Sequence, residues 1–446
     1  MGSINRFRGT TLRFRFATSA GNTIKKIMGV TLLLLFILPA YLLAQNEGLQ
    51  FERIGREQGL TASSVLSILQ DRQGFMWFGT LDGLFRFDGY SMTAYRHDPL
   101  DSTSLGDNYI WALLEDADGV MWVGTSSGGL NRLDRENEHF VRYKHNPKNP
   151  NSISSDVVSA LYQDQNGALW VGTWKGLNKI DLERGEVTRY LHDQNDPTSL
   201  SPYWIHSICG DEDGVLWLGT EGGLSRLDVL TGKFEHFAGE FREPITIGSN
   251  SRVAALIDRN GAVWFGSHAG LIQFDRTTKG FTPIDVGTGV KSLLQDRFES
   301  LWIGTPRGLL FFDPKTNQSM TFSHEPQNPN SLIHNQIQCL YEDRTGTLWV
   351  GTQNGVNRLD REQQRFKHIV HDPEDANSLS GNGIAALHAG PSGAIWVANW
   401  GNQGIAVDKV HSETKQVSRS LPGLRKEDLK HGGFIYHVFE GRSGLV

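Results

Sequence analysis

Cysteine is almost absent: two residues, Cys209 and Cys339, in a chain of 446. That excludes a disulfide scaffold and a cysteine-based zinc site. Proline is sparse as well, 15 residues against 50 glycines, which excludes collagen and a proline-rich linker. Basic charge is scarce in the body of the chain. Residues 1–44 hold six of the 43 basic residues and none of the 49 acidic ones, so the remainder carries 37 against 49, a net −12. Such a body lacks the basic face that a nucleic-acid phosphate backbone requires. Long apolar runs are absent with one exception, so the chain is not a multi-span membrane protein.

The exception is residues 27–44, IMGVTLLLLFILPAYLLA, eighteen uncharged residues preceded by Lys25-Lys26. As a helix this run would reach about 27 Å. A basic start, an apolar middle and a small residue at Ala44 describe either a secretory signal peptide or an uncleaved anchor. Both place residues 1–44 at the membrane and export the rest.

Glycine and tryptophan are plentiful, and they recur. One pattern stands as WFGTLDGLFRFD at Trp77, WVGTSSGGLNRLD at Trp122, WVGTWKGLNKID at Trp170 and WLGTEGGLSRLD at Trp217. It continues as WFGSHAGLIQFD at Trp264, WIGTPRGLLFFD at Trp302 and WVGTQNGVNRLD at Trp349, and decays to WVANWGNQGIAVD at Trp396. The tryptophan spacings are 45, 48, 47, 47, 38, 47 and 47. Upstream lies Asp-x-x-Gly-x-x-Trp, at Asp71, Asp116, Asp164, Asp211, Asp258 and Asp343. At Asp296 the glycine is replaced by Glu299, and in the last unit Gly390 replaces the aspartate. Aspartate and glycine at this offset predict a tight turn: the carboxylate binds backbone N–H groups two residues on, and glycine supplies positive φ.

Each unit reads as four short strands; in the first they are SVLSILQD, FMWFGT, LFRFD and SMTAYRHD. A four-stranded unit of about 47 residues is the size of a propeller blade, and a lone blade cannot bury both faces. The fold class is therefore all-β, a propeller of antiparallel four-stranded blades. The repeated tryptophans are inter-blade anchors. The helical signature of ankyrin, TPR and HEAT repeats is missing, as are the WD dipeptide of WD40 blades and the sialidase Asp-box spacing.

The segment LQFERI (49–54) resembles a fourth strand without its own blade. Paired with VNRLD (356–360) it would close a seven-bladed ring over 48–362, with 363–446 starting a second, truncated propeller. A single eight-bladed ring is the alternative. The final FEGRSGLV matches the run before a repeat tryptophan, which predicts a longer parent protein.

GLTASSVLSILQDRQGFMWFGTLDGLFRFDG (59–89) resembles the two-component regulator propeller repeat, and the likeness recurs over roughly 48–446. The connectors match too: HDPLDSTSL (97–105), HNPKNPNSI (145–153), HDQNDPTSL (192–200), HEPQNPNSL (324–332) and HDPEDANSL (371–379). The resemblance implies the periplasmic sensor region of an inner-membrane histidine kinase in bacterial signal transduction. A minority of such proteins carry a diguanylate cyclase output instead. It further implies a small-molecule or oligosaccharide ligand, the latter in polysaccharide-using members. No phospho-acceptor histidine box, kinase ATP-site box or GGDEF sequence is present, so no catalytic residue and no cofactor is assigned. A secreted propeller lyase or hydrolase acting on polysaccharide is the rival reading. Signalling through altered propeller or dimer packing makes a homodimer the candidate assembly.

Deviations from the repeat mark the candidate ligand residues, because propeller sites sit where loops vary over a fixed scaffold. Trp174 stands in a strand 2–3 turn, and Tyr203 and Trp204 in a connector. Tyr109, Trp111, Asn399 and Trp400 occupy similar positions. Aromatic faces there could stack on a sugar ring. The connector histidines His97, His145, His192, His324 and His371 belong to different blades. They cannot converge on one metal, and hydrogen bonding within each loop is expected instead. Cys209 and Cys339, three repeats apart, are expected to be free thiols.

Overall fold

The computed structural model describes residues 49–424 except 63, 203, 212, 238–252, 269, 361–368, 370, 373, 374, 376, 391–393, 402, 403 and 412–416. The chain divides into two units, Met1–Arg361 and Glu362–Val446. Among the described residues it is all β, with eight four-stranded antiparallel sheets and a single 3₁₀ turn at Arg56–Gln58. No helix among them is long and apolar enough to cross a membrane; the apolar run 27–44 lies outside the described residues.

The first unit holds seven sheets. Sheet one runs Val65–Gln70, Met76–Thr80, Gly83–Phe87 and Met92–Tyr95, each strand pairing with the next. The first strands of sheets two to seven are Ile110–Glu115, Val158–Gln163, Ile205–Gly210, Ala254–Ile257, Ser292–Gln295 and Ile337–Glu342. Each first strand contacts that of the next sheet, and that of sheet seven contacts that of sheet one, so the circuit closes. The fourth strand of sheet seven is Glu52–Ile54, from the start of the chain. It pairs antiparallel with Gly355–Leu359, Glu52 opposite Arg358 and Ile54 opposite Val356. The unit Glu362–Val446 contributes one sheet: Gly383–Ala389, Ala394–Gly401, Gly404–His411 and Val417–Leu424.

Two features of the repeat set the spacing between sheets. In the first unit each repeat tryptophan packs on the following sheet: Trp349 of sheet seven lies 5.8 Å from Phe78 of sheet one, ring to ring. The glycine two residues after each of these seven tryptophans faces that next sheet. A Cβ on Gly172 would come 2.8 Å from Ile205 Cγ2, and one on Gly304 would come 2.7 Å from Ile337 Cγ2. Both are closer than real side chains approach, so the position needs glycine.

The Asp-x-x-Gly turn does more than close a hairpin. Oδ1 of Asp71 accepts from the amides of Gln73 and Phe75, and its Oδ2 accepts from the indole Nε1 of Trp77 at 2.8 Å. The same bond fixes Trp122, Trp170, Trp264, Trp302 and Trp349, at 2.7–3.0 Å. One carboxylate thus holds the turn and the inter-sheet anchor together. Glu299, in place of the turn glycine, still takes φ of 69°.

The connectors are held as expected, by local hydrogen bonds. Nδ1 of His97, His145, His192, His324 and His371 each meets the carbonyl eight residues on, at 2.6–2.9 Å. A carbonyl only accepts, so Nδ1 carries the proton. The residue supplying that carbonyl (Leu105, Ile153, Leu200, Leu332 or Leu379) is buried. At three connectors an arginine on the fourth strand of the next sheet binds the loop, and at 192–200 His236 stands there instead, its Nε2 2.8 Å from the Ser199 carbonyl. Arg189 binds the carbonyls of Ser152 and Asn149, as Arg142 binds those of Ser104 and Asp101. Arg53, on the N-terminal strand, does this for the connector before sheet seven. Arg189→Ala is expected to cost about 1 kcal/mol, since charged hydrogen bonds to the carbonyls of this largely exposed loop are lost. Limited proteolysis should then cut first within 145–152, while the wild-type loop resists.

Exposed turn aspartates contribute a pH dependence. The amides of Ser91 and then Tyr90 lower the Asp88 carboxyl from 3.8 to about 2. Hydrogen bonds from Thr103, Thr198 and Thr277 likewise lower Asp101, Asp196 and Asp275. A folded value below the unfolded one stabilises above the unfolded pKa and is lost as pH falls through the folded one. The urea midpoint is therefore expected to fall between about pH 4 and about pH 2.

Candidate ligand-binding face

The start of each first strand, the turn between strands two and three, and the connectors lie at one edge of the sheets. Thr173 opposes Gly176 at the end of its hairpin and Val158 across the first pair of strands. The residue after this first position is skipped by the pairing: Leu66, Trp111, Ser159, His206 and Gln338 stand at bulges. A bulge re-aims its side chain, so this position is where the scaffold offers variable groups.

Two aromatic pairs form there. Trp174, in the turn of sheet three, stacks on Trp204, which precedes the first strand of sheet four. Their ring centroids are 3.7 Å apart and their planes 6° from parallel. The stack bridges neighbouring sheets, and both indoles are half-buried. In sheet two, Tyr109 stacks on the bulge residue Trp111 at 4.7 Å and 23°. Tyr203 lies outside the described residues.

Asn399 and Trp400 differ from their expected place in a turn. Both sit inside the strand Ala394–Gly401, whose ladder runs on to Gly401 opposite Gly404. The longer WVANWGNQG sequence extends the hairpin past the point where Thr173 and Gly176 end theirs. Asn399 takes the place of that threonine. It is fully buried, and its Nδ2 donates to Asp408 Oδ2 at 2.6 Å. The side chain of Trp400 lies outside the described ones.

Sequence reasoning missed two polar groups at this face. Glu221 stands four residues after its repeat tryptophan, the offset of Trp174, and its amide donates to the Trp204 carbonyl at 3.2 Å. Desolvation holds its carboxyl above the usual range. His206 stands eleven residues before its repeat tryptophan, the offset of Trp111. Aligning the units by offset would have found both. The arrangement offers ring faces, a carboxyl group and an imidazole.

Elsewhere, the short link Asp285–Gly289 replaces a full connector between sheets five and six. There a cleft of about 520 Å³ opens beside Trp264, Ile284, Asp285 and Phe312. Cys209 and Cys339 are both free. Burial pushes the Cys209 thiol up to about 12, Asp211 adds to the effect and Arg276 opposes it. No group of three or more His, Cys, Asp or Glu residues among the described ones has metal-binding geometry.

The comparisons with known proteins bear on what such a face belongs to. The family model of the two component regulator propeller matches residues 59–82, 104–127, 152–175, 199–222 and 331–354. The chain carries two-component regulator propeller repeats. A 79-residue stretch is 44% identical to histidine kinase P4 of Formosa agariphila, covering 18% of this chain and 6% of that protein. The extracellular domain of a hybrid two-component system from B. thetaiotaomicron matches 83% of this chain and 49% of its own, at 28% identity and a TM-score of 0.64. The chain thus spans about half the length of that structure. Virginiamycin B lyase from Staphylococcus aureus matches 70% of this chain and 99% of its own, at 13% identity and a TM-score of 0.53, which shows the propeller fold alone.

Proposed function

We propose that this chain is the ligand-sensing, extracytoplasmic part of a membrane-bound sensor histidine kinase. Residues 1–44 act as its export address, 48–362 form one seven-bladed ring, and 363–446 begin a second. The observation that carries this reading is the likeness, at 28% identity over 83% of the chain, to the extracellular domain of a hybrid two-component system. The face described above supports it chemically. A stacked indole pair with a carboxyl beside it suits a sugar-like ligand, apolar on its ring face and polar at its edge.

The mechanism follows from where the pair sits. Trp174 and Trp204 come from different sheets, so a ligand spanning them changes the packing between sheets three and four. Signal then passes as a change of packing and needs no bond to be made or broken. An alkaline phosphatase fused after residue 446 tests the export half. Cells should show phosphatase activity, and deleting residues 27–44 should abolish it. A fusion active only in the cytoplasm would overturn the reading.

A further inference from the structure

The groove between sheets four and five breaks the rule of the carboxylate-bound indole. Among the described residues Trp217 Nε1 has no hydrogen-bond partner, although Asp211 stands six residues before it. Asp211 Oδ2 instead meets Arg276 Nη1 at 2.9 Å. Among the described residues Arg276 spends only that one nitrogen: Nε and Nη2 are screened from bulk water and have no acceptor there.

Arg135 provides an internal comparison. It follows the third strand of sheet two as Arg276 follows that of sheet five. Its Nη1 lies 3.0 Å from Asp71 and its Nη2 2.7 Å from Glu115, which leaves Nε alone unmatched. Glu115 stands seven residues before Trp122, and the residue seven before Trp264 is Ile257. Arg276 therefore has one carboxylate where Arg135 has two.

The unmatched nitrogens are the side-on pair of the guanidinium, whose parallel N–H groups fit the two oxygens of a carboxylate. They sit at a cleft of about 360 Å³ walled by Val215, Trp217, Phe237 and Phe274. The Arg276 side chain keeps 30% of its surface, but Nε, Nη2 and Trp217 Nε1 keep almost none, so a ligand reaches them only as the guanidinium swings off the Trp217 ring, whose centroid lies 5.7 Å from Cζ. Glu235 at the rim is matched by Lys279 at 2.7 Å and Arg226 at 3.9 Å. The lining thus balances three cations (Arg226, Arg276, Lys279) against three carboxylates (Asp211, Asp213, Glu235). Its unmatched donors among the described residues are Nε and Nη2 of Arg276 and Nε1 of Trp217.

We infer that this groove binds a small organic carboxylate, gripped side-on by Nε and Nη2 of Arg276 with Trp217 Nε1 as a third donor. The aromatic walls take the body of the molecule. The site is separate from the Trp174–Trp204 face and does not rest on the sensor reading, so either can fail alone.

Calorimetric titration and thermal unfolding of the whole chain test it, with acetate, benzoate and glucuronate as probes. Glucose and inorganic phosphate serve as controls at matched ionic strength. At least one carboxylate should bind one to one and raise the melting temperature, while glucose does neither. Arg276→Lys keeps the charge opposite Asp211 but removes the fork, and should weaken binding at least about tenfold. Ile257→Glu places a carboxylate where Glu115 stands beside Arg135, and should abolish binding in a folded protein. Absence of binding by all three probes, phosphate binding more tightly than any of them, or undiminished affinity in Arg276→Lys would each overturn the inference.

Discussion

Replacing Trp264 with Phe is expected to cost about 1–3 kcal/mol more than replacing Trp217 with Phe. Both indoles are 2% exposed and both pack on the next sheet, so the loss of contact is nearly the same. The difference lies in the partner left behind. Trp264 Nε1 donates to Asp258 Oδ2 at 2.8 Å, and phenylalanine strands that oxygen in a buried site. Among the described residues Trp217 has no such bond to lose. Trp396, whose unit has Gly390 in place of the aspartate, also lacks an indole partner. Its phenylalanine variant should resemble Trp217→Phe. Urea unfolding of the three variants gives the ordering, and equal costs at 264 and 217 would show that the Asp–indole bond contributes nothing net.

Deleting residues 49–54 should lower stability by on the order of 5 kcal/mol. Phe51 and Ile54 are each 2% exposed, and burying such side chains is worth about 1.5–3 kcal/mol apiece. The deletion also removes the partner of Val356–Arg358 and leaves sheet seven with an open edge, which invites association. Arg53→Ala, which removes only the connector clamp, should cost about 1–3 kcal/mol and leave the protein monodisperse. The deletion should show both a lower urea midpoint and larger species in sedimentation. An unchanged midpoint would mean that the strand contributes little to holding sheets seven and one together.

The all-β repeat architecture is legible in the sequence because its determinants are local. A four-stranded unit needs turn residues at fixed offsets and an apolar residue facing each neighbour, and both recur every 38 to 48 residues. The Asp–indole bond is not legible in the same way. It spans six residues and depends on the turn folding the carboxylate back over the following strand. The candidate face was found in part for the same reason. Trp174 and Trp204 each stand out against their own repeat, but only the fold shows that they stack. Asn399 was misplaced because the last unit is longer, and counting residues does not say where a hairpin turns.

The account rests on a face that receives a ligand and performs no reaction. Titrating the chain with a panel of oligosaccharides, with heat and mass both followed, tests this most directly. A saturable heat that Trp174→Ala and Trp204→Ala each remove, with every oligosaccharide recovered intact, is the predicted result. Cleaved or eliminated product, formed in proportion to the protein added, would contradict it.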